Sequence, residues 1–310
     1  MEDPKSVMLA RRCCLVVVVV WLALPTVGAA QGGGGFEPSP LRHVRVSDIS
    51  VGYRTIGSGR PLVLITGYSA TLYVWDPGLL TRLAEHRRVI VFDNRGVLTT
   101  TRGRGRLTIQ RMADDTAGLI RALGYRRADV LGWSMGGNIA QELGLRHPGR
   151  VRRLVLAATD PGSSRAIQPT SRLARRVLND PTPTIQELLR AIFPPTKQAA
   201  ANAYIRRLLL WPAVQPSDFN AAPEITREQT VAGGRRWLYR SCGAYGRLPS
   251  LRAPTLVADG RRDILEPPGN SRIIARRIPR ARLTLYGAAG HAFLFQRRAD
   301  FATRVNSFLE

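Results

Sequence analysis

The pentapeptide Gly-Trp-Ser-Met-Gly at positions 132–136 constrains the fold of this chain more than any other feature. It follows an apolar run at 128–133 that is typical of a buried strand, and it leads into a helical pattern at 135–147. A serine on so sharp a turn has a strained backbone that exposes its hydroxyl, and its neighbours two positions away must be small because strand and helix nearly touch. The pattern predicts a strand–turn–helix unit with Ser134 as a candidate nucleophile.

Strand-like and helix-like segments alternate along most of the chain. Short apolar and β-branched runs predict eight strands, at 44–47, 50–56, 62–66, 89–93, 128–133, 154–158, 255–258 and 282–286. Helical spacing of apolar residues predicts helices at 72–85, 109–123, 135–147 and 292–309. Alternation of this kind predicts an α/β fold with a mostly parallel, eight-stranded sheet flanked by helices.

The alternation stops between positions 160 and 251. Prolines punctuate this segment, which carries helical patterns at 185–193, 199–210 and 227–240 and no strand pattern. It is far longer than an ordinary loop. We therefore predict four parts of the chain: a leader at 1–30, a linker at 31–42, an α/β core formed by 43–159 with 252–310, and a helical cap inserted at 160–251.

The N-terminus has the pattern of an export signal. Lys5, Arg11 and Arg12 precede an apolar run at 13–24, and small residues follow at 28–30. The apolar run is shorter than the roughly 20 residues that a bilayer-spanning helix needs. We expect a cleaved signal peptide and a secreted or extracytoplasmic protein. The alternative is a membrane anchor through residues 13–30.

The chain is strongly basic, with 46 Lys and Arg against 22 Asp and Glu and a formal net charge of +24. Such a charge permits contact with nucleic acid or anionic membranes. Because the arginines are scattered, we expect no specific nucleic-acid partner, whereas membrane-surface association through the N-terminal segment or the basic surface stays open. Loss of the leader would leave Cys242 as the only cysteine, with no cysteine cluster for a metal.

A serine hydroxyl is a poor nucleophile until a base takes its proton, and histidine can do so near neutral pH. Of the four histidines, His43, His86 and His147 lie at the edge of the linker or at helix ends. His291 follows a glycine- and alanine-rich loop after the last predicted strand. Loops at the carboxyl ends of parallel strands are where α/β sheets bind ligands. We predict that His291 is the base.

A carboxylate must orient the imidazole and stabilise its positive form. Asp263 lies just beyond the predicted strand 255–258, and Asp160 lies just beyond 154–158. Both positions suit this role. We favour Asp263 because its loop follows the strand that is adjacent in sequence to that of the histidine, and we expect Asp259 and Glu266 to be structural carboxylates.

Ser134, Asp263 and His291, in this chain order, resemble the α/β-hydrolase family, and the resemblance covers residues 43–310. The segments 93–96 and 112–115 also resemble their counterparts in that family. The resemblance implies an esterase- or lipase-like serine hydrolase that uses no metal or organic cofactor. It further implies that the backbone N–H groups of Tyr68 and Met135 hold the developing oxyanion.

The chain departs from the family pattern in two loops near that oxyanion site. Thr66 stands before Gly67 where many relatives have histidine, and 97–100 reads Val-Leu-Thr-Thr where glycine and serine are usual. The geometry of the oxyanion loop is therefore less constrained by the sequence than the three candidate catalytic residues.

The leading functional expectation is hydrolysis of a carboxylic ester, or of a lactone or amide, through an acyl-serine intermediate. The same triad would also support carbon–carbon bond hydrolysis or cofactor-free perhydrolysis, and a non-catalytic binding protein could keep the fold. Aromatic residues predict apolar walls for a medium-sized uncharged ester: Phe193, Trp211, Phe219 and Trp237 in the cap, with Tyr68, Tyr73 and Trp75 after the third strand. In the alternative, Arg95 or Arg102 would face the pocket and favour an anionic substrate.

Overall fold

A twisted central sheet organises the part of the chain that the computed structural model describes, residues 36–239 and 243–310. Its strands are β1 (Arg42–Val46), β2 (Ile49–Ile56), β3 (Arg60–Ile65), β4 (Arg87–Phe92), β5 (Ala128–Trp133), β6 (Val151–Ala157), β7 (Thr255–Gly260) and β8 (Ala281–Tyr286). They lie in the order β1-β2-β4-β3-β5-β6-β7-β8. The pairs β1–β2 and β2–β4 are antiparallel and the other pairs are parallel. The predicted fold class is confirmed.

The sheet is buried on both faces, which explains why its central strands are continuous apolar runs. Along β3, Leu62 and Leu64 pack into the apolar cluster on one face, and Val63 and Ile65 pack into the cluster on the other. Every residue of β5 is buried. The loops that leave β3, β5, β6, β7 and β8 therefore emerge at one edge of the sheet, because these strands are parallel.

Helices from both halves of the chain cover these faces: α1 (Pro77–Ala84), α2 (Ile109–Ala122), α3 (Met135–Arg146), α9 (Gly269–Arg277), α10 (Phe293–Gln296) and α11 (Arg298–Leu309). Two predicted helices are shorter or broken. The helix expected at 72–85 begins only at Pro77, because the Asp76 carboxylate caps it by accepting the N–H of Gly78 and proline suits a first helical position. The helix expected at 292–309 is divided into α10 and α11 at Arg297.

Between β6 and β7, the described residues form mainly helical structure; we call residues 160–251 the cap. Its helices are α4 (Arg172–Asn179), α5 (Ile185–Ile192), α6 (Gln198–Leu208), α7 (Pro223–Gln229), a π-helical segment (Thr230–Arg236) and α8 (Trp237–Tyr239). The helical stretch expected at 227–240 thus begins earlier, at Pro223, and changes its winding at Thr230. A two-residue β-bridge joins Asn220 of the cap to Ala70, in the loop after β3.

The predicted leader at 1–30, the linker up to residue 35 and Cys242 lie outside the described residues. Export, cleavage and anchoring therefore stay predictions. Within 36–239 and 243–310, no helix is both long enough and apolar enough to cross a membrane.

Candidate active site

Ser134 lies between the end of β5 and the first residue of α3, in the strained backbone that the pentapeptide predicts. Its φ is 58° and its ψ is −127°, a region that residues other than glycine rarely occupy. Its N–H donates to the carbonyl of Ala157 in β6 (2.9 Å), and its carbonyl accepts the N–H of Gly137 (2.8 Å). The strain is therefore maintained by the neighbouring strand and by the helix itself.

The two glycines of the pentapeptide are required by close approach of the backbone. A Cβ on Gly132 would lie 2.2 Å from the carbonyl oxygen of Gly136, and a Cβ on Gly136 would lie 2.1 Å from that of Ile65. Real Cβ atoms do not approach backbone oxygens so closely. The strand, the turn and the helix can therefore pack together only because both positions lack side chains.

His291 and Asp263 form a buried hydrogen-bonded pair at the same edge of the sheet. The Nδ1 of His291 lies 2.7 Å from the Oδ2 of Asp263. The other oxygen, Oδ1, accepts the N–H groups of Leu265 (2.8 Å) and Glu266 (2.9 Å). Since a proton on Nδ1 faces the carboxylate, Nε2 is left as the basic nitrogen. Ser134 and His291 both line one cavity.

Asp160, the alternative candidate, lies at the end of β6, and its carboxylate accepts hydrogen bonds from groups other than the histidine. Its Oδ1 accepts the N–H of Gly162 (2.6 Å) and the indole N–H of Trp237 (2.9 Å), and its Oδ2 accepts the Nδ2 of Asn138 (3.2 Å). Burial raises the pKa of Asp160. The structure therefore pairs Asp263, rather than Asp160, with the histidine.

Two further carboxylates lie close to Asp263. Asp259 accepts the hydroxyl of Ser271 (2.8 Å), and burial together with the nearby charge of Asp263 raises the pKa of Asp259. Burial, with the charges of Asp160 and Asp263, also raises the pKa of Glu266, whose carboxylate lies 3.5 Å from the Nδ2 of Asn270. Both side chains bond to α9, as expected of structural groups.

The two residues expected to supply oxyanion donors, Tyr68 and Met135, lie next in sequence to residues at the turn: Met135 follows Ser134, and Tyr68 follows Gly67. Met135 is the first residue of α3, where backbone N–H groups have no partner within the helix. Gly67 packs directly on Ser134, since a Cβ added there would lie 3.0 Å from the Cβ and 3.5 Å from the Oγ of Ser134. Among the hydrogen bonds found in the described ranges, none uses the N–H of Tyr68 or Met135. Both donors are available to a ligand.

The cavity beside Ser134 has a volume of about 120 Å³ and is enclosed mainly by aliphatic side chains from the cap. These are Val177, Leu178, Ile185, Leu188, Leu189, Ile192, Ile205 and Leu208, joined by Val74 and Leu265 from the core. Tyr68, Trp133, Tyr204 and Phe219 also line it. Its ionisable lining groups, apart from tyrosine, are Asp180 and His291, and no arginine of the described residues is among them.

The prediction of aromatic cap walls is mostly wrong. Of the seven aromatic residues proposed from the sequence, Tyr68 and Phe219 line the cavity, and the other five are buried in packing: Tyr73, Trp75, Phe193, Trp211 and Trp237. Trp211, for example, donates its indole N–H to the carbonyl of Trp75 (3.0 Å), and Trp237 donates to Asp160. Aromatic content alone does not say which neighbour a side chain will contact.

A stripe of aliphatic residues on α5, which was not predicted from the sequence, forms much of the cavity wall. Ile185, Leu188, Leu189 and Ile192 all line the cavity, and their spacing is that of a single helical face. Since Ile185 and Leu188 are not fully buried, the stripe is not simply core. The helical periodicity of these four aliphatic residues is the sequence signal that could have predicted this part of the cavity wall.

The two arginines proposed to attract an anionic substrate are engaged elsewhere. Arg95 is buried and binds the carboxylates of Asp48 and Asp115, with nitrogen–oxygen distances of 2.9 and 2.6 Å. Arg102 pairs with Glu228 of the cap through both its Nε and a terminal nitrogen. Neither lines the cavity, so the structure gives the anionic alternative no support.

The fold and the Ser–His–Asp arrangement define an α/β hydrolase. The family model described as alpha/beta hydrolase fold matches residues 60–297, and the chain belongs to this family of enzymes. The chain is 33% identical to a putative non-heme bromoperoxidase of Mycobacterium tuberculosis over 84% of its own length and 97% of that protein. It is 30% identical to a 2-hydroxymuconate semialdehyde hydrolase of a Pseudomonas species, over 88% of this chain and 95% of that protein.

An esterase is also among its relatives: a pimeloyl-[acyl-carrier protein] methyl ester esterase of Nitrosomonas europaea is 28% identical over 78% of this chain and 93% of that protein. Among solved structures, an alpha/beta hydrolase fold protein from Chitinophaga pinensis superimposes with a TM-score of 0.79, at 25% identity, over 89% of this chain and 99% of that one. These relationships support hydrolytic activity and leave the substrate open.

Proposed function

We propose that this protein hydrolyses carboxylic esters with an uncharged, apolar acyl group. The observation that carries the proposal is the cavity in which Ser134 and His291 meet an aliphatic wall, with His291 held by Asp263. An apolar wall recognises acyl chains, and a Ser–His–Asp set performs acyl transfer. The methyl ester esterase among the relatives supports an ester over other acyl compounds.

In the proposed mechanism, Nε2 of His291 takes the proton of Ser134 as its Oγ attacks the ester carbonyl. Asp263 stabilises the imidazolium that forms. The carbonyl oxygen becomes an oxyanion and accepts the N–H groups of Met135 and Tyr68, each of which contributes about 3 kcal/mol to stabilising the transition state. His291 then protonates the departing alkoxide. A water molecule, deprotonated by His291, cleaves the acyl-serine and restores Ser134.

The substrate range is tested with p-nitrophenyl esters from acetate to decanoate at low and high salt. Each methylene buried against the cap helices contributes about 0.8 kcal/mol, so kcat/KM should rise several-fold per two carbons and level off once the cavity is full. Added salt should have little effect, because exposed charges are screened within about 10 Å at 0.1 M and no lining arginine attracts the substrate. A flat chain-length profile with strong salt dependence would contradict an apolar ester.

The nucleophile is tested separately from the substrate. A fluorophosphonate probe should label the wild-type protein, and Ser134→Ala should abolish both labelling and esterase activity while leaving the circular dichroism spectrum unchanged. Ser163, a serine with positive φ that lies outside the cavity lining, supplies the matched control: Ser163→Ala should keep its label. Labelling of Ser134→Ala would identify another serine and refute the assignment.

Carbon–carbon bond hydrolysis is the second candidate, because one relative is named for a muconate semialdehyde. A muconate is a carboxylate, and binding it favours a cationic side chain near the cavity. Here the charged lining residue contributed by the cap is the acidic Asp180. We therefore expect turnover of that compound to be at least about 100-fold slower than of the best ester, and the reverse ranking would favour the second candidate.

We also propose that the chain is exported, on the basis of the basic residues, short apolar run and small residues of its first 30 positions. Intact mass of the extracytoplasmic form should correspond to a chain that begins near Ala30 or Gln31. A full-length chain retained in the membrane would instead identify residues 13–30 as an anchor.

A further inference from the structure

The middle of the loop that carries Tyr68 is bonded to the cap, whereas the ends of the loop bond to Asp93 and Asn94 after β4. Ser69, the next residue, has a φ of 55°, in the left-handed region that serine rarely adopts. Each of its polar groups bonds to the cap: its N–H donates to the Oε1 of Gln229 (2.7 Å), its carbonyl accepts the N–H of Ala221 (2.8 Å), and its hydroxyl bonds to that of Thr226 (2.9 Å).

The same stretch of the cap contacts both Tyr68 and Met135. The hydroxyl of Tyr68 bonds to that of Thr230 (2.7 Å), directly after Gln229. One turn further, the π-helical segment approaches Met135, since a Cβ on Gly233 would lie 3.6 Å from the Sδ of Met135. Residues 220–233 therefore contact the residues that carry both oxyanion donors.

Gln229 is one of the fully buried residues among these contacts, and its role is that of an acceptor. Its side chain is fully buried, and its Nε2 has no hydrogen-bond partner among the described groups. The orientation of the amide is fixed because its partner, the Ser69 N–H, can only donate. Without this acceptor, a partly buried N–H would lose its partner at a strained residue, and the loop would relax towards an ordinary conformation.

We propose that Gln229 is a positioning residue of the active site: by holding the Ser69 N–H, it fixes the strained loop that aims the Tyr68 N–H at the oxyanion. This inference rests on the proposed serine hydrolase function. Gln229 acts through the loop and does not line the cavity. Its removal should therefore weaken binding of a tetrahedral, oxyanion-like species more than binding of the substrate ground state.

The test compares Gln229→Leu with Gln229→Glu, which keeps an acceptor oxygen for the Ser69 N–H, and with Ile225→Ala. Ile225 lies on the same helix α7, is also buried, and packs with Val97 and Ala221. Its side chain makes no hydrogen bond, so truncating it loosens the packing of α7 and keeps the Gln229 acceptor. It controls for general loosening of the cap. Each variant is assayed for kcat and KM on the best p-nitrophenyl ester, for inhibition by an alkyl boronic acid as a tetrahedral analogue, and for thermal midpoint.

For Gln229→Leu, we expect kcat and boronate affinity to fall together by about 10- to 100-fold, because small displacements of reacting groups have effects of that size, while KM changes less than about threefold. Gln229→Glu should restore most of both losses. Ile225→Ala should lower the thermal midpoint but change kcat less than about threefold. The proposal is overturned if Gln229→Leu loses no more activity than Ile225→Ala, if KM accounts for the loss, or if Gln229→Glu is equally defective.

A second measurement, the rate of labelling by the fluorophosphonate, tests the role of Gln229 even if the protein proves not to be an esterase. If the wild-type protein cleaves no ester in the panel, its rate of labelling by the fluorophosphonate still reports an activated serine with an oxyanion site. Gln229→Leu should slow that labelling by about 10-fold or more relative to Ile225→Ala. Equal labelling rates would overturn the role of Gln229, whatever the substrate proves to be.

Discussion

The ends of β6 and β7 carry similar carboxylates in dissimilar surroundings. Asp160 and Asp263 each follow a parallel strand by a few residues, and each is almost fully buried. At the end of β6, donors from Gly162, Asn138 and the cap residue Trp237 occupy both oxygens of Asp160. At the end of β7, the local loop occupies only one oxygen of Asp263, and the other faces His291.

The difference lies in which donors the following loop supplies. The loop of Asp263 turns back so that two of its own N–H groups reach Oδ1, which orients the carboxylate and leaves Oδ2 for the imidazole. Asp160, the first residue of the cap, instead bonds to Asn138 of α3 and to Gly162 and Trp237 within the cap, and so links the cap to α3. A buried strand-end carboxylate thus becomes a catalytic partner or a structural link according to the donors around it.

Among the substitutions that test this comparison, Asp263→Asn should have the largest effect. We expect kcat to fall by about 10³- to 10⁴-fold, because an amide that donates to Nδ1 holds the histidine in the tautomer that cannot accept the serine proton. Steady-state kinetics on the best ester measures the loss, and circular dichroism checks that the fold persists. A loss below about tenfold would show that Asp263 is not the partner of the catalytic histidine.

Local patterns were enough to predict the sheet and the position of each candidate catalytic residue. The turn at Ser134 is dictated by its own glycines, and the contact of Asp263 with His291 follows from two neighbouring parallel strands. The cavity wall was not predicted correctly, because it depends on how the cap helices pack onto the core over long sequence separations. Trp211 and Trp237 are large cap side chains like Ile185, yet they are buried with their indole N–H groups bonded, and Ile185 lines the cavity.

The role of Gln229 could not be read from the sequence for the same reason. Its contact with Ser69 joins residues 160 positions apart, and no spacing rule links them. The departures of the chain from the family pattern near Tyr68 only left the geometry of this loop less constrained by the sequence. In the structure, the cap bonds to each polar group of Ser69.

Asp93, at the end of β4, is a third buried carboxylate at the end of a strand, and its contribution to stability should depend on pH. Its oxygens accept the N–H groups of Leu72 (2.6 Å) and Thr99 (3.1 Å), so it links the loops after β3 and β4. Complete burial raises the pKa of Asp93 to about 6. In the unfolded chain, an aspartate ionises near pH 4, so between about pH 4 and 6 the folded state holds a proton that the unfolded state has lost.

The stabilising contribution of neutral Asp93 should therefore be fully present below about pH 4 and be lost as the pH rises through about 6. The free energy of unfolding of the wild type, minus that of Asp93→Asn, should fall by up to about 3 kcal/mol over this interval and stay constant above pH 7. Denaturant unfolding at a series of pH values measures it. A difference that is constant with pH would place the pKa of folded Asp93 near its ordinary value.

The smallest expected effect is that of Asp160→Asn, the counterpart of the substitution at Asp263. The asparagine oxygen can still accept from Gly162 and Trp237, and the change loses only the 3.2 Å bond from Asn138, whose Nδ2 also reaches the Asp160 carbonyl at 3.0 Å. Because burial raises the pKa of Asp160, replacing the carboxylate also removes a desolvation cost at pH 7. These opposing terms should leave the free energy of unfolding within about 1 kcal/mol of wild type and kcat within about threefold. If Asp160→Asn instead lowers kcat more than Asp263→Asn does, the carboxylate at the end of β6 is the catalytic one and the comparison is reversed.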